Sequence, residues 1–370
     1  MKSVALVFGT RPEAIKMCPL IKELERRRRF RVITVVSGQH RELLHGVLES
    51  FGVVPDHDLA LMREGQAQTG LASGILDALP NVLETEKPDI VLVHGDTTTT
   101  FAASLCCFYR GIPIGHVEAG LRTYDMHSPF PEELNRQATG LMAAYHFAPT
   151  VSAAENLFRE GKRRDRVFVT GNTGIDALRY TVRRDYRSPN LDWASEGRLV
   201  LLTAHRRENA GEPMRQMLAA VKKAVKERKD ARLLVPVHPN PSVRSVVEES
   251  LSECPNARLC EPLDVVDFHN AMARSYMIVT DSGGIQEEAA ALCVPTLVLR
   301  ERTERPEGVE AGVLHLVGTH PQGVYKGFCD LYDSPLLRAS VKNAVNPYGD
   351  GYASARIADI LESVIFSKNS

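Results

Sequence analysis

No stretch of this 370-residue chain reaches the ~18 consecutive apolar residues that a bilayer crossing requires, which excludes a spanning helix at the level of sequence. Neither sign of charge dominates. Lys and Arg (45) nearly cancel Asp and Glu (46), so no global field draws in nucleic acid or an anionic membrane, and small-molecule partners are expected. Cysteine is sparse and unpatterned: seven residues, an odd number, with no Cys-x-x-Cys pair. That usage fits a reducing compartment and packing roles, with Cys106 and Cys107 adjacent in an apolar helix-like stretch. Glycine is scarce where a dinucleotide would need it. The turn after the first strand pattern, Gly9-Thr-Arg-Pro-Glu-Ala-Ile-Lys16, has Gly9 alone where the fingerprint needs three glycines, so no nicotinamide or flavin cofactor is expected. There is no His-x-x-x-His, His-Glu-x-x-His, paired-cysteine or Asp-rich spacing for a metal. A Gly-x-Ser-x-Gly elbow is absent too, which argues against a serine hydrolase. The N-terminus enters a strand pattern, Ser3–Phe8, without the basic and long apolar regions of a signal peptide, so the expectation is a cytoplasmic protein.

What the chain does contain is alternation. Short β-branched runs (Ser3–Phe8, Arg31–Val36, Asp89–Val93, Ile112–Val117, Val167–Thr170, Leu199–Thr203, Arg232–Val237, Ala257–Glu261, Met277–Thr280, Thr296–Leu299) are separated by amphipathic segments. The helical patterns include Ala14–Arg29, Gly70–Glu86, Thr99–Tyr109, Glu133–Ala143, Pro213–Arg228 and a last helix, Ala353–Phe366. Continuously apolar strands are those buried on both faces, which predicts an α/β fold with parallel sheets covered by helices. The pattern passes through two cycles, with a polar, turn-rich stretch from Arg183 to Gly197. Two doubly wound domains are expected: 1–170, with the last helix (353–370) packing back on it, and 171–352. Such domains place a ligand in the cleft facing the carboxyl ends of both sheets. Arg26 to Arg29, at the end of a helix pattern, reads as a solvated helix terminus where cations suit the dipole.

Residues with chemistry cluster after the strands. Asp281-Ser-Gly-Gly-Ile-Gln-Glu-Glu288 runs from a strand through Ser282, Gly283 and Gly284 into a helix, where unpaired N–H groups and the helix dipole suit a phosphate. Glu288, one turn on, is placed to accept hydrogen bonds from a ribose. Arg11 and Lys16 put two cations at the mouth of the first sheet. Asp96, in Gly95-Asp-Thr-Thr98, and Glu118, in His116-Val-Glu-Ala-Gly120, each set a carboxylate at a strand's carboxyl end. Glu132 adds a third acid at a helix start, near Arg136. Such a set serves acid and base work on a neutral substrate that carries a phosphate. His205, in Thr203-Ala-His-Arg-Arg-Glu-Asn209, and His238, in Val237-His-Pro-Asn240, are candidates for anion contact or proton transfer. Arg305, in a Pro- and Gly-rich loop, is a candidate to reach the same nucleotide.

These motifs, with Ser37-Gly-Gln-His40 and Thr303-Glu-Arg-Pro-Glu-Gly308, together resemble the bacterial non-hydrolysing UDP-N-acetylglucosamine 2-epimerases over essentially the whole chain. The resemblance implies two Rossmann-like domains, as in B-type glycosyltransferases and glycogen phosphorylase, with the active site in the interdomain cleft. It implies conversion of UDP-N-acetylglucosamine to UDP-N-acetylmannosamine without a cofactor, for surface polysaccharide, through elimination of UDP to 2-acetamidoglucal and re-addition. Asp96, Glu118 and Glu132 would be the acid/base carboxylates and His205 would lie at the leaving phosphate. Arg11 and Lys16 match clamping positions; Ser282, Gly283, Gly284, Glu288 and Arg305 match UDP-holding ones. Phe268 stands where the family has an aromatic near uracil, with a core role as the alternative. A second, activating UDP-sugar site would use Gln39, Gln66, Arg206 and His238, with Glu42 departing from the Gln of some members. A homodimer is implied as well. Within the same architecture the alternatives are a 2-epimerase of a modified sugar such as UDP-2,3-diacetamido-glucuronic acid, a hydrolysing epimerase, a B-type glycosyltransferase and a UDP-sugar sensor.

Overall fold

A computed structural model describes residues 1–38, 41–61, 66–206, 209, 211–303 and 305–366, with the side chains of 41–43 excepted. The chain divides into two compact units, Met1–Tyr180 with Gly349–Ser370, and Thr181–Tyr348. Each is a parallel sheet with helical crossovers, the α/β architecture expected from the continuous apolar strands.

The first unit contains strands β1 (Lys2–Phe8), β2 (Phe30–Val36), β3 (His57–Asp58), β4 (Ile90–His94), β5 (Ile114–Val117), β6 (Tyr145–Ala148) and β7 (Val167–Val169). Its helices are α1 (Arg11–Arg27), α2 (Arg41–Ser50), α3 (Gln68–Glu86), α4 (Thr98–Tyr109), α5 (Glu132–Met142), α6 (Val151–Arg159) and α7 (Thr173–Thr181), whose last residue, Thr181, belongs to the second unit. The strand order is β3-β2-β1-β4-β5-β6-β7, so the winding reverses between β1 and β4. Doubly wound sheets bind ligands at such a switch point, outside the carboxyl ends of the strands. Val4 to Phe8 and Ile90 to Val93 are fully buried, which is why they read as unbroken apolar runs. Cys106 and Cys107 pack beside them under α3 and α4.

The second unit contains α8 (Pro189–Ala194), β8 (Arg198–Thr203), α9 (Glu212–Lys226), β9 (Ala231–Pro236), α10 (Pro241–Leu251), β10 (Ala257–Cys260) and α11 (Val265–Arg274). It continues with β11 (Met277–Thr280), α12 (Gly283–Ala291), β12 (Thr296–Val298), α13 (Pro306–Glu310), β13 (Leu314–Leu316), α14 (Pro321–Asp333) and α15 (Pro335–Asn343). The order β10-β9-β8-β11-β12-β13 repeats the same logic, with its switch point between β8 and β11. The last helix, α16 (Ala353–Phe366), packs on α1, where Arg27 pairs with Asp359 (2.6 Å) and Glu362 (3.2 Å).

The sequence reading and the fold part company in a few places. Residues 171–180 stand with the first unit rather than the second. The reason is local: Asp176 on α7 accepts the N–H groups of Ala353 (3.0 Å) and Ser354 (2.6 Å), fastening α7 to the start of α16. The arginine run is only partly solvated, since Arg27 is half-buried against Glu23 and α16, and Arg28 takes the left-handed conformation that closes α1. The polar stretch 183–197 contains α8. Among the described residues no helix is long and apolar enough to cross a membrane.

Candidate active site

The turn between β1 and α1 is set by a capping box: Thr10 Oγ1 accepts from the Glu13 N–H, and Glu13 reaches back to the Thr10 N–H at 2.7 Å. Glu13 does more than cap. Its buried carboxylate also accepts from the Gly9 N–H (3.0 Å) and from the hydroxyls of Thr97 (2.7 Å) and Thr100 (3.1 Å). One carboxylate thereby ties the loop that carries Arg11 to the loop that carries Asp96, across the switch point. Burial pushes its pKa up, opposed by those hydrogen bonds.

Asp96 sits after β4 with its side chain 29% exposed and is paired with Arg136 of α5 at 2.6 Å. Its carbonyl accepts from Asn135 (3.0 Å), so α5 holds both its ends. Burial raises its pKa to about 6; Arg136 opposes the shift, while the nearby Glu118 and Glu132 add to it. Arg136 also faces the fully buried Glu133 (3.6 Å), which is itself occupied by the N–H groups of Thr123 and Tyr124.

Glu118 follows β5 in the left-handed region (φ 61°), where few non-glycine residues sit. Its carboxylate is paired with the Lys16 ammonium and accepts from the Asn172 amide at 3.1 Å, and the Nε2 of buried His94 lies 3.7 Å away. A cation and an amide donor make surroundings complementary to a carboxylate anion. Lys16, expected to clamp substrate, therefore engages the second carboxylate of the site. The structure brings Lys16, Asp96, Glu118, Glu132 and Arg136 to the switch-point end of the first sheet, and places Arg11 at the first position of α1. Asn172, His94 and Glu13 were not legible as site residues, although the Thr10/Glu13 spacing is a capping signature that could have flagged Glu13.

In the second unit, Asp281 is the buried anchor. It accepts the N–H groups of His205 (3.1 Å) and Arg206 (3.0 Å) and the Asn209 amide (3.3 Å), holding the loop after β8 against the loop after β11. His205 stacks on the exposed His238, with ring centroids 5.3 Å apart. Partial desolvation of the ring under that stack, with the neighbouring His205 imidazole, lowers the His238 pKa. Ser282 caps the start of α12 with no side-chain hydrogen bond, so the first-turn N–H groups of Gly283 and Gly284 face outward at a positive helix terminus. Arg305 lies against that turn, paired with Glu287 at 2.6 Å. A Cβ on Gly283 would come within 2.7 Å of its Nη1. Gly283→Ala should therefore push Arg305 aside at little cost in stability, because only the end of a flexible side chain must move. An anion docked at this terminus would lose one charge-assisted contact, so pyrophosphate should bind roughly tenfold more weakly by calorimetry.

Glu288 stands one turn further along α12, 3.6 Å from the buried His269. Phe268 is half-buried in the apolar cluster that also receives Ile285 of α12, which is the core alternative noted for it. Gln66 folds toward the first turn of α3, near Gly70. Gln39 and the side chain of Glu42 lie outside the described residues.

Comparison with known proteins places this geometry in context. The family model for UDP-N-acetylglucosamine 2-epimerase matches residues 22–362. The UDP-N-acetylglucosamine 2-epimerase of Bacillus subtilis is 52% identical over 358 residues, covering 97% of this chain and 94% of its own. A crystal structure from Listeria monocytogenes, described as that of a candidate UDP-N-acetylglucosamine 2-epimerase, superposes with a TM-score of 0.93 at 51% identity, over 98% of this chain and 96% of that one. The enzyme from Neisseria meningitidis, solved bound to UDP-GlcNAc, gives 0.91 at 43% identity over 98% and 100%.

Proposed function

The chain belongs to the UDP-N-acetylglucosamine 2-epimerase family, and from that premise we propose that it interconverts UDP-N-acetylglucosamine and UDP-N-acetylmannosamine by elimination and re-addition of UDP. It is an isomerase of that family. The proton on C2 is too weakly acidic for simple removal. In the proposed path a carboxylate takes that proton as the C1–O bond breaks, and the bonding pair leaves with UDP to give 2-acetamidoglucal. A proton then returns to the opposite face of C2 while a phosphate oxygen of UDP re-forms the bond to C1, so nothing is oxidised or consumed.

One observation carries the reading: two carboxylates in contrasting settings share the first unit's switch point. Asp96 is raised to about 6, within reach of neutral pH for taking and returning a proton. Glu118 is held by Lys16 and Asn172. Glu132 is the third acid/base candidate. Arg11 and Lys16 would balance the diphosphate, and His205 would lie at the departing phosphate. The α12 terminus, with Ser282, Gly283, Gly284 and Arg305, would hold the UDP itself. Supply of surface polysaccharide, a homodimeric state and an activating UDP-sugar contact through Gln39, Gln66, Arg206 and His238 belong to the same proposal.

Incubation with UDP-N-acetylglucosamine in D₂O, followed by NMR, tests it. Deuterium should enter C2 of both epimers while the UDP-N-acetylmannosamine signal grows to a plateau with no added cofactor. A C2 that stays protonated, with no second epimer, would end this assignment and send the search to modified UDP-sugars. Free UDP accumulating in step with turnover would identify hydrolysis instead.

A further inference from the structure

We infer that His269 is a positioning residue that aims the Glu288 carboxylate at the ribose of the bound nucleotide and so sets the preference of the second unit for ribonucleotides. The inference rests on reading that unit as the UDP-holding one.

The geometry forms a short chain of side chains. His269, on α11, is 1% exposed. Its Nε2 lies 3.6 Å from Glu288 Oε2, and its Nδ1 is 2.7 Å from Thr181 Oγ1. A carboxylate repels an imidazole lone pair, so the tautomer with hydrogen on Nε2 is the one that can face Glu288. That leaves the lone pair on Nδ1, where it accepts from the Thr181 hydroxyl. Thr181 is fixed in turn, because its carbonyl accepts from the Asn270 amide at 2.7 Å, and the Asn270 oxygen accepts from the Arg183 N–H at 3.0 Å. Asn270 is itself tied to its own helix through the Val266 carbonyl at 2.8 Å. The imidazole is thus set in orientation and in tautomer from α11.

The consequence falls on Glu288. Its position on α12, one turn past the phosphate cradle, is where a ribose would lie if a diphosphate occupied Ser282 to Gly284. At 3.6 Å the Nε2–H faces Oε2 as an electrostatic contact rather than a direct hydrogen bond, and that attraction favours one orientation of the carboxylate, with its other oxygen directed outward. A site built to accept ribose hydroxyls discriminates against a nucleotide that lacks them, because its oriented acceptor then has no donor. His269 would make that acceptor rigid without itself touching the ligand.

Calorimetric titration of the intact protein with UDP and with 2′,3′-dideoxy-UDP separates this role from a structural one. The wild type is expected to prefer UDP by roughly tenfold or more, the worth of a hydrogen bond to a charged acceptor. His269→Phe should reduce that ratio to less than about threefold, whereas His269→Gln, whose amide can still donate to Glu288, should keep most of it. Thr181→Val, which removes the hydroxyl that selects the tautomer, should fall between the two. A merely structural loss weakens both nucleotides alike and leaves the ratio untouched, so a wild-type ratio in His269→Phe overturns the inference. If the wild type itself shows no preference, the ribose assignment of Glu288 fails first and takes this inference with it. A wild type that binds neither nucleotide would instead overturn the reading of the second unit.

Discussion

Asp96→Asn is expected to lower the epimerisation rate by about 10²–10⁴-fold, the usual contribution of a positioned acid/base group, with UDP affinity unchanged. Asparagine keeps the size of the side chain, and its oxygen can still accept from Arg136, so α5 and the β4 loop should stay in place. What disappears is a group that can gain and lose a proton. The pH profile provides the independent signature. Burial raises Asp96 to about 6 against the pull of Arg136, so above that pH the group is mainly ionised and able to accept the C2 proton. Below it the carboxylate is already protonated, and if Asp96 is the carboxylate that takes the C2 proton the rate should fall by about tenfold per pH unit as that single proton binds. The limb near pH 6 should be missing from the residual activity of Asp96→Asn. Steady-state kinetics across pH 5.5 to 8.5 on both proteins, with folding followed in parallel by circular dichroism so that acid unfolding is separated from protonation, is the measurement. An Asp96→Asn enzyme within threefold of wild type would remove this residue from the chemistry.

Asp96 also illustrates what the sequence could and could not convey. The order of strands and helices, and the placement of carboxylates at strand ends, follow from patterns of two residue classes and were readable from the chain. So was the glycine turn before α12. Three strands were not: β3 is two residues, β6 is four, Tyr-His-Phe-Ala, with a buried histidine in its middle, and β13 is three with a histidine at its centre, so none presents an unbroken apolar run. Pair partners were hidden for a different reason. Lys16 meets Glu118 across 102 positions and Asn172 meets it across 54, contacts that only the winding of the sheet creates. Glu13 reads as an ordinary cap in sequence. Its hydroxyl partners, Thr97 and Thr100, become neighbours because β1 and β4 are adjacent at the switch point.

Acidification from pH 7.5 to 5 is expected to destabilise the first unit by up to about 5 kcal/mol, a large share of the stability of an ordinary domain. The cause is three histidines buried in one sheet. His94, His116 and His146 end or occupy β4, β5 and β6, and each is 3% exposed or less. His116 donates through Nε2 to the Gly95 carbonyl at 2.7 Å, which leaves its Nδ1 without a partner, and the buried Nδ1 of His146 has none either. Burial is the main cause that holds the three imidazoles near pKa 4, 3 and 4, against about 6.5 for an exposed one. The sign follows from where protons bind. Above about 6.5 both folded and unfolded chains carry neutral imidazoles, and the buried state has no penalty. As pH falls below that, the unfolded chain takes up protons that the folded one refuses, so stability drains away until the folded pKa values are reached. At pH 5 each histidine costs about 2 kcal/mol on this basis. Asp96 works the other way: its raised pKa means the folded state binds a proton earlier, returning about 1 kcal/mol over the same range, and the carboxyls of Glu13 and Asp176, also raised by burial, act in the same direction. Urea unfolding at pH 7.5 and at pH 5 measures the difference. His146→Phe should shrink the acid loss by about 2 kcal/mol, because it removes one of the three histidine contributions. A stability that stays flat between the two pH values would mean that these imidazoles take up protons in place and that the sheet is far more open to water than its packing indicates.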